Sequence, residues 1–246
     1  MKWSDFKSHI KNLGFSDNDE LQEYISSGLV LDSLCHALRE ISVNIKGVVN
    51  TFTWEKLECW QVGTFPTSNW LSLTIDGDAL TPEKGKGYHV GDALYLWDGE
   101  KYSLQGSVIK LDLYDLTKDT SSPFGDLVEV QQETDDDIRR FSNVRLLRDT
   151  TYAFDADTEG KLVFYYNQRT PYITTEPDAD YEIPVAYECE PMLPLLTAYY
   201  VWLDDDVNVA SRWYNEYDQL KTDYQTRQQN SGYKARLRTD LSYTSF

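Results

Sequence analysis

Histidines, cysteines and clustered carboxylates are the residues of this chain that could do chemistry, and their spacing assembles none of the usual sites. The three histidines are His9, His36 and His89. No two of them have a spacing such as HExxH, which sets two imidazoles one helical turn apart on one face. Cys35 adjoins His36, but neighbouring side chains on a helix point in different directions, so adjacency does not make a ligand pair. Cys35, Cys59 and Cys189 are far apart, odd in number and without a CxxC pair, and are expected to be reduced, partly buried thiols. Nucleophilic catalysis by Cys35 or Cys189 needs a basic partner supplied by the fold, and the sequence suggests none.

Gly85, Gly87 and Gly91 in GKGYHVGD superficially look like a phosphate loop. They lack the GxxxxGK[ST] spacing and precede a strand rather than a helix N-terminus, so turn glycines explain them better. The acidic clusters Asp204 to Asp206 and Asp155, Asp157 and Glu159 do not fit a calcium loop, which needs a central glycine and a distal bidentate Glu. Paired acids beside aromatics are also the pattern of glycoside hydrolysis. Trp54, Trp60, Trp70 and Trp97 could offer stacking surfaces for sugar, although packing explains aromatics at these spacings without a ligand. The reading is therefore a protein with no catalytic residues, no cofactor and no metal. A carbohydrate-binding or glycan-processing protein centred on the β-rich segment is the alternative.

Charge points the same way. A net charge of −18 and a pI near 4.4 oppose gripping of nucleic acid or an anionic membrane, because such binding rests on basic contacts. The start, MKWSDFKSHIKNLGF, has no apolar h-region, and no later stretch approaches the roughly 18 consecutive apolar residues of a spanning helix. The protein is expected neither to be exported by this route nor to span a membrane. At 246 residues and 41% hydrophobic, the chain is long enough for one good core, or a main core and a satellite. Eighteen Tyr and 7 Trp against 2 Met suggest rigid amphipathic interface surfaces or a Tyr-rich β core.

The first fifty residues read as helical. Ser16 or Asp17 can cap a helix carrying Leu21, Tyr24, Ile25 and Leu29, and a second pattern runs through Leu31, Leu34, Cys35, Leu38 and Ile41. Gly28 either separates the two or lies inside one longer helix. From Val48 to Leu116 apolar and polar residues alternate as in a small antiparallel β unit. Its Asp98-Gly99 step predicts a hairpin with a type I′ turn. A second hairpin is expected where DADTEG precedes KLVFYY. Pro191 and Pro194 then open a helix with Leu195, Leu196, Tyr199, Trp202 and Leu203 on one face. Asp204 to Asp206 can cap the next helix, in which Ala210, Trp213, Tyr214, Tyr217, Leu220 and Tyr224 recur at threes and fours. Ser231 and Gly232 are expected to end it, leaving the tail GYKARLRTDLSYTSF.

From Leu113 onward the order of features resembles the head-to-tail adaptor, or head-completion, proteins of tailed bacteriophages. The residues that carry the resemblance are LYDL at Leu113 to Leu116, KLVFYYN at Lys161 to Asn167, ITTEPDADYEIPVAYE leading to PMLPLLTAYYVWLDDD, and ASRWYNEYDQLKTDY. It implies an α+β fold in which N- and C-terminal helices pack together as a helical adaptor domain, with an inserted small antiparallel β domain and an extended C-terminal arm. In that arrangement 1–47 and 108–230 form the adaptor domain, 48–107 the insert and 231–246 the arm. The resemblance further implies a structural virion protein, present in the host cytoplasm during assembly. It forms a ring of twelve copies between the portal protein and the tail or further neck proteins, and genomic DNA passes through without specific binding. The arm would dock the portal through Tyr233, Lys234, Arg236, Leu237, Arg238, Leu241, Tyr243 and Phe246. Its basic and apolar residues form a segment that cannot bury itself but can order against a partner groove.

Overall fold

The computed structural model of the protein describes residues 1–62, 71–134 and 137–241, with residues 230–241 as backbone only. Trp70, Asp135, Asp136, Tyr243 and Phe246 therefore lie outside the described residues. Helices α1 (Trp3–Lys11), α2 (Asn18–Ser26) and α3 (Leu29–Asn44) come first. Strands β1 (Val49–Glu58), β2 (Trp60–Gln61), β3 (Leu73–Ile75), β4 (Asp78–Ala79), β5 (Gly87–Val90), β6 (Ala93–Trp97), β7 (Tyr102–Gln105) and β8 (Val108–Asp112) lead to the short helix α4 (Leu113–Thr117). Then follow β9 (Phe124–Glu133), β10 (Ile138–Arg140), β11 (Arg145–Arg148), β12 (Thr151–Asp155) and β13 (Lys161–Gln168), and finally α5 (Met192–Trp202) and α6 (Val207–Leu241). Two compact units result: Met1–Val48 with Thr170–Phe246, and Val49–Arg169.

In the helical unit, local chemistry sets the helix ends. Asp17 Oδ1 accepts from the Asp19 and Glu20 amides, and Glu20 Oε2 accepts from the Ser16 amide and hydroxyl, so both expected cap residues take part. Gly28 separates α2 from α3 with φ of +86°, a left-handed conformation that interrupts the helix. Trp3, Phe6 and Ile10 of α1 and Leu34, Leu38 and Ile41 of α3 share one core with Leu193 and Leu196 of α5 and Tyr217 of α6. Burial of such side chains is the main driving force for the unit, at about 1.5–3 kcal/mol each.

In the β unit the strands form a seven-stranded mixed sheet, in the order β10-β9-β13-β1-β5-β6-β7. Strand β1 serves both halves: Val49 to Glu55 pair antiparallel with β13, and Lys56 to Glu58 pair parallel with β5. Two three-stranded sheets accompany it, β11-β12-β8 and β2-β3-β4. Trp54, Ile109, Leu111, Phe124, Phe154 and Phe164 build the principal core, and Tyr88 and Tyr102 with Cys59, Leu71 and Leu73 build a satellite.

These sheets overturn the expected helical adaptor fold with a small inserted β domain. The class is α+β, but a seven-stranded mixed sheet and two further sheets dominate. Alternation within a strand does not reveal its partner, and here β1 and β13 pair across more than a hundred residues of sequence. The expected hairpin at DADTEG fails for the same reason: β12 pairs with β11 and β8, while β13 joins the large sheet. LYDL, read as the end of the β unit, lies in the helix α4, capped by the Asp112 carboxylate accepting from the Asp115 amide. The Asp98-Gly99 hairpin forms, but with a different turn. Only Gly99 has positive φ, and Asp98 Oδ1 accepts from the Glu100 and Lys101 amides, which favours an Asx turn over type I′. The extended arm is corrected too, because the backbone stays helical through Ser231 and Gly232 to Leu241. A lone glycine costs a helix only about 1 kcal/mol.

Candidate docking surface

The C-terminal helices are held by contacts that begin before α5. Pro191 stands at its N-terminus, and Met192, Leu193, Leu196, Ala198 and Val201 are buried along it. At its other end Trp202 lies against Gly14, where a Cβ would come within 2.8 Å of the indole nitrogen. The indole N–H donates to the Leu13 carbonyl at 3.1 Å.

Asp204 to Asp206 form the turn between α5 and α6. Asp206 Oδ1 accepts from the amides of Asn208 at 2.9 Å and Val209 at 3.2 Å, capping α6 as expected. Asp205 accepts from the Tyr24 hydroxyl at 3.3 Å. Among the described residues, no group of three His, Cys, Asp or Glu side chains could hold a metal ion.

Along α6, Ala210, Trp213 and Tyr217 are buried, and Leu220 and Tyr224 pack partly against the core. Glu40 of α3 binds the helix in place. It accepts from the Tyr200 hydroxyl of α5 at 2.5 Å and the Tyr217 hydroxyl of α6 at 3.1 Å. Burial, with the neighbouring Glu40 carboxylate, pushes both phenols well above the ordinary tyrosine range, so they remain donors. A groove beside this part of α6 is lined by Tyr187, Glu190, Pro191, Met192, Leu220 and Tyr224. Tyr187 is 82% exposed there.

Beyond Tyr224 the described side chains of the helix reach solvent, with Arg227 and Gln228 still lining the groove. Residues Gln225 to Gln229 are all exposed, and the backbone runs on to Leu241, about 26 Å past Tyr224 at the α-helical rise. Tyr233, Lys234, Arg236, Leu237, Arg238 and Leu241 lie on this backbone, and Tyr243 and Phe246 fall outside the described residues. The arm residues thus share one element with the packing residues, which sequence punctuation at Ser231 and Gly232 does not suggest.

The remaining candidates disperse. His9 and His36 are exposed in the helical unit, while His89 sits in the β unit with Nδ1 3.0 Å from Glu58. Cys35, Cys59 and Cys189 are free and buried, and burial raises each thiol pKa, the opposite of what a nucleophile needs. Gly85 packs against Leu116 and Phe52, Gly87 is in β5 and Gly91 turns the chain toward β6. Asp155, Asp157 and Glu159 are exposed around a turn. Trp54 is fully buried against Phe154, Trp97 packs on Tyr102 and Trp60 is 57% exposed. Among the described residues no helix is long and apolar enough to cross a membrane. Glu40 is a positioning residue that the sequence hides, since nothing local distinguishes it from a solvated glutamate on an amphipathic helix. No protein-family model matches the chain, and no curated protein matches it.

Proposed function

We propose that the protein is a non-enzymatic virion subunit of a tailed bacteriophage. Twelve copies form a ring between portal and tail, and the C-terminal end of α6 docks the portal protein. The observation that carries this reading is the length of α6: the side chains described beyond Tyr224, Gln225 to Gln229, are all exposed, and the helical backbone continues to Leu241. Helix is marginal in water on its own, and a partner groove that takes an amphipathic segment adds order to it. The order of sequence features from Leu113 onward supports the same assignment. So does the net charge of −18, which suits the wall of a channel through which DNA slides without adhering. Burial of Trp54 removes one of the aromatic surfaces on which the sugar-binding alternative depends.

The test is portal binding by the chain truncated after Gly232. The truncated protein should stay folded and lose portal binding by at least about tenfold, the loss expected when an anchoring segment is removed. Undiminished binding rules the docking role out. Charge reversal at Lys234, Arg236 and Arg238 to Glu should weaken attachment in the same assay, and more so at low salt.

A further inference from the structure

The most basic stretch of this acidic chain lies in the β unit. Residues Ile138 to Arg148, IRRFSNVRLLR, hold four arginines and no acid. They form β10 and β11, each at the edge of its sheet, and every residue of both strands is exposed. Leu146 is 57% exposed and Leu147 48%. Leu146 is opposite Tyr152, which is opposite Leu111, so Leu146 continues the face on which Tyr152 and Leu111 are buried. That face runs out uncovered on an open strand edge. Arg139 donates to Gln132 at 3.2 Å, and none of the four arginines forms an ion pair among the described residues.

Charged residues on an edge strand also guard against aggregation, but a guard does not need two exposed leucines between its arginines. Nor does a phosphate-binding patch, to which apolar side chains add little. Arginine forks, leucines and an unpaired edge together suit a carboxylate-bearing strand or turn added alongside. A chain of net charge −18 supplies such segments in abundance on its own surface.

We propose that β11, with the arginines around it, is the surface on which a second copy of this chain docks. A carboxylate-bearing segment of one subunit adds against β11 of the next, covering Leu146 and Leu147 and pairing Arg145 and Arg148. The contact is heterologous, joining one surface to a different one, and with a closing rotation such contacts generate a ring. The choice of occupant rests on the ring reading, but the two fail separately, because portal binding tests the adaptor role and self-contact tests this surface.

The experiment places the photocrosslinker p-benzoylphenylalanine at Leu146 of the full chain, irradiates it and identifies the crosslinked peptide by mass spectrometry. A peptide containing Asp or Glu from a second copy is the expected product. R145E/R148E should cut its yield at least about tenfold, and about 0.5 M salt should cut it for the parent chain, since the contact is charge-steered. R145Q/R148Q serves the same comparison if the reversed variant does not fold. The proposal is overturned by the absence of a second-copy crosslink, or by a yield unaffected by the substitutions. Retardation of duplex DNA by the parent chain but not by R145E/R148E would also overturn it, assigning the patch to nucleic acid.

Discussion

Glu40 shows how much of this protein's order hangs on single polar atoms. Its two oxygens receive the hydroxyls of Tyr200 and Tyr217, so one carboxylate joins α3, α5 and α6. Glu40→Ala would leave two hydroxyls without an acceptor in a largely buried setting and should lower unfolding free energy by about 2–4 kcal/mol in urea titration. A change within error would show that the tyrosines find other partners. In the β unit, Glu55 accepts from Lys86, and Lys161 lies 3.4 Å away. The Lys86 hydrogen bond holds the carboxyl below its ordinary value of 4.5, with burial opposing. Because the folded value is the depressed one, this contribution is complete above pH 4.5 and is lost as pH falls through the folded pKa. The stability gap between the parent chain and Glu55→Gln, about 1 kcal/mol at neutral pH, should therefore close on acidification; a gap that widens contradicts the assignment. Neither carboxylate is legible in the sequence, since Glu40 and Tyr217 stand 177 residues apart and meet only in the fold.

At the level of elements, what could be read and what could not divides by range. The Asp17 cap, the Asp206 cap and the β6–β7 hairpin, though not its turn type, depend on groups within a few residues, and each is legible. Strand partners are not. KLVFYYN has strand composition on sight, yet nothing in it says that its neighbours are β1 and β9. The helix α6 runs past Ser231 and Gly232 because glycine permits a stop without enforcing one. The helix now makes a prediction of its own. Truncation after Gly232 should leave the melting temperature within a few degrees of the parent, because the core residues described on α6 all precede it, whereas Tyr224→Ala should lower it measurably by calorimetry. A large drop on truncation would mean that the terminal turns belong to the core after all.

For the whole molecule, the acidic balance of the chain and its exposed basic strand edge direct attention to contacts. The adaptor role is an expectation carried by a resemblance in the order of features and stands as a proposal; the architecture is not legible in the sequence, because the sheets draw on strands scattered from Val49 to Gln168. Two surfaces would then divide the labour, the end of α6 for the portal and the β11 edge for the neighbouring copy. The most direct measurement of the central claim is a cryo-electron microscopy reconstruction of the particle that carries this chain. The expected result is a ring of twelve copies between portal and tail, with the last turns of α6 seated on the portal. A chain placed elsewhere in the particle, or missing from it, contradicts the account.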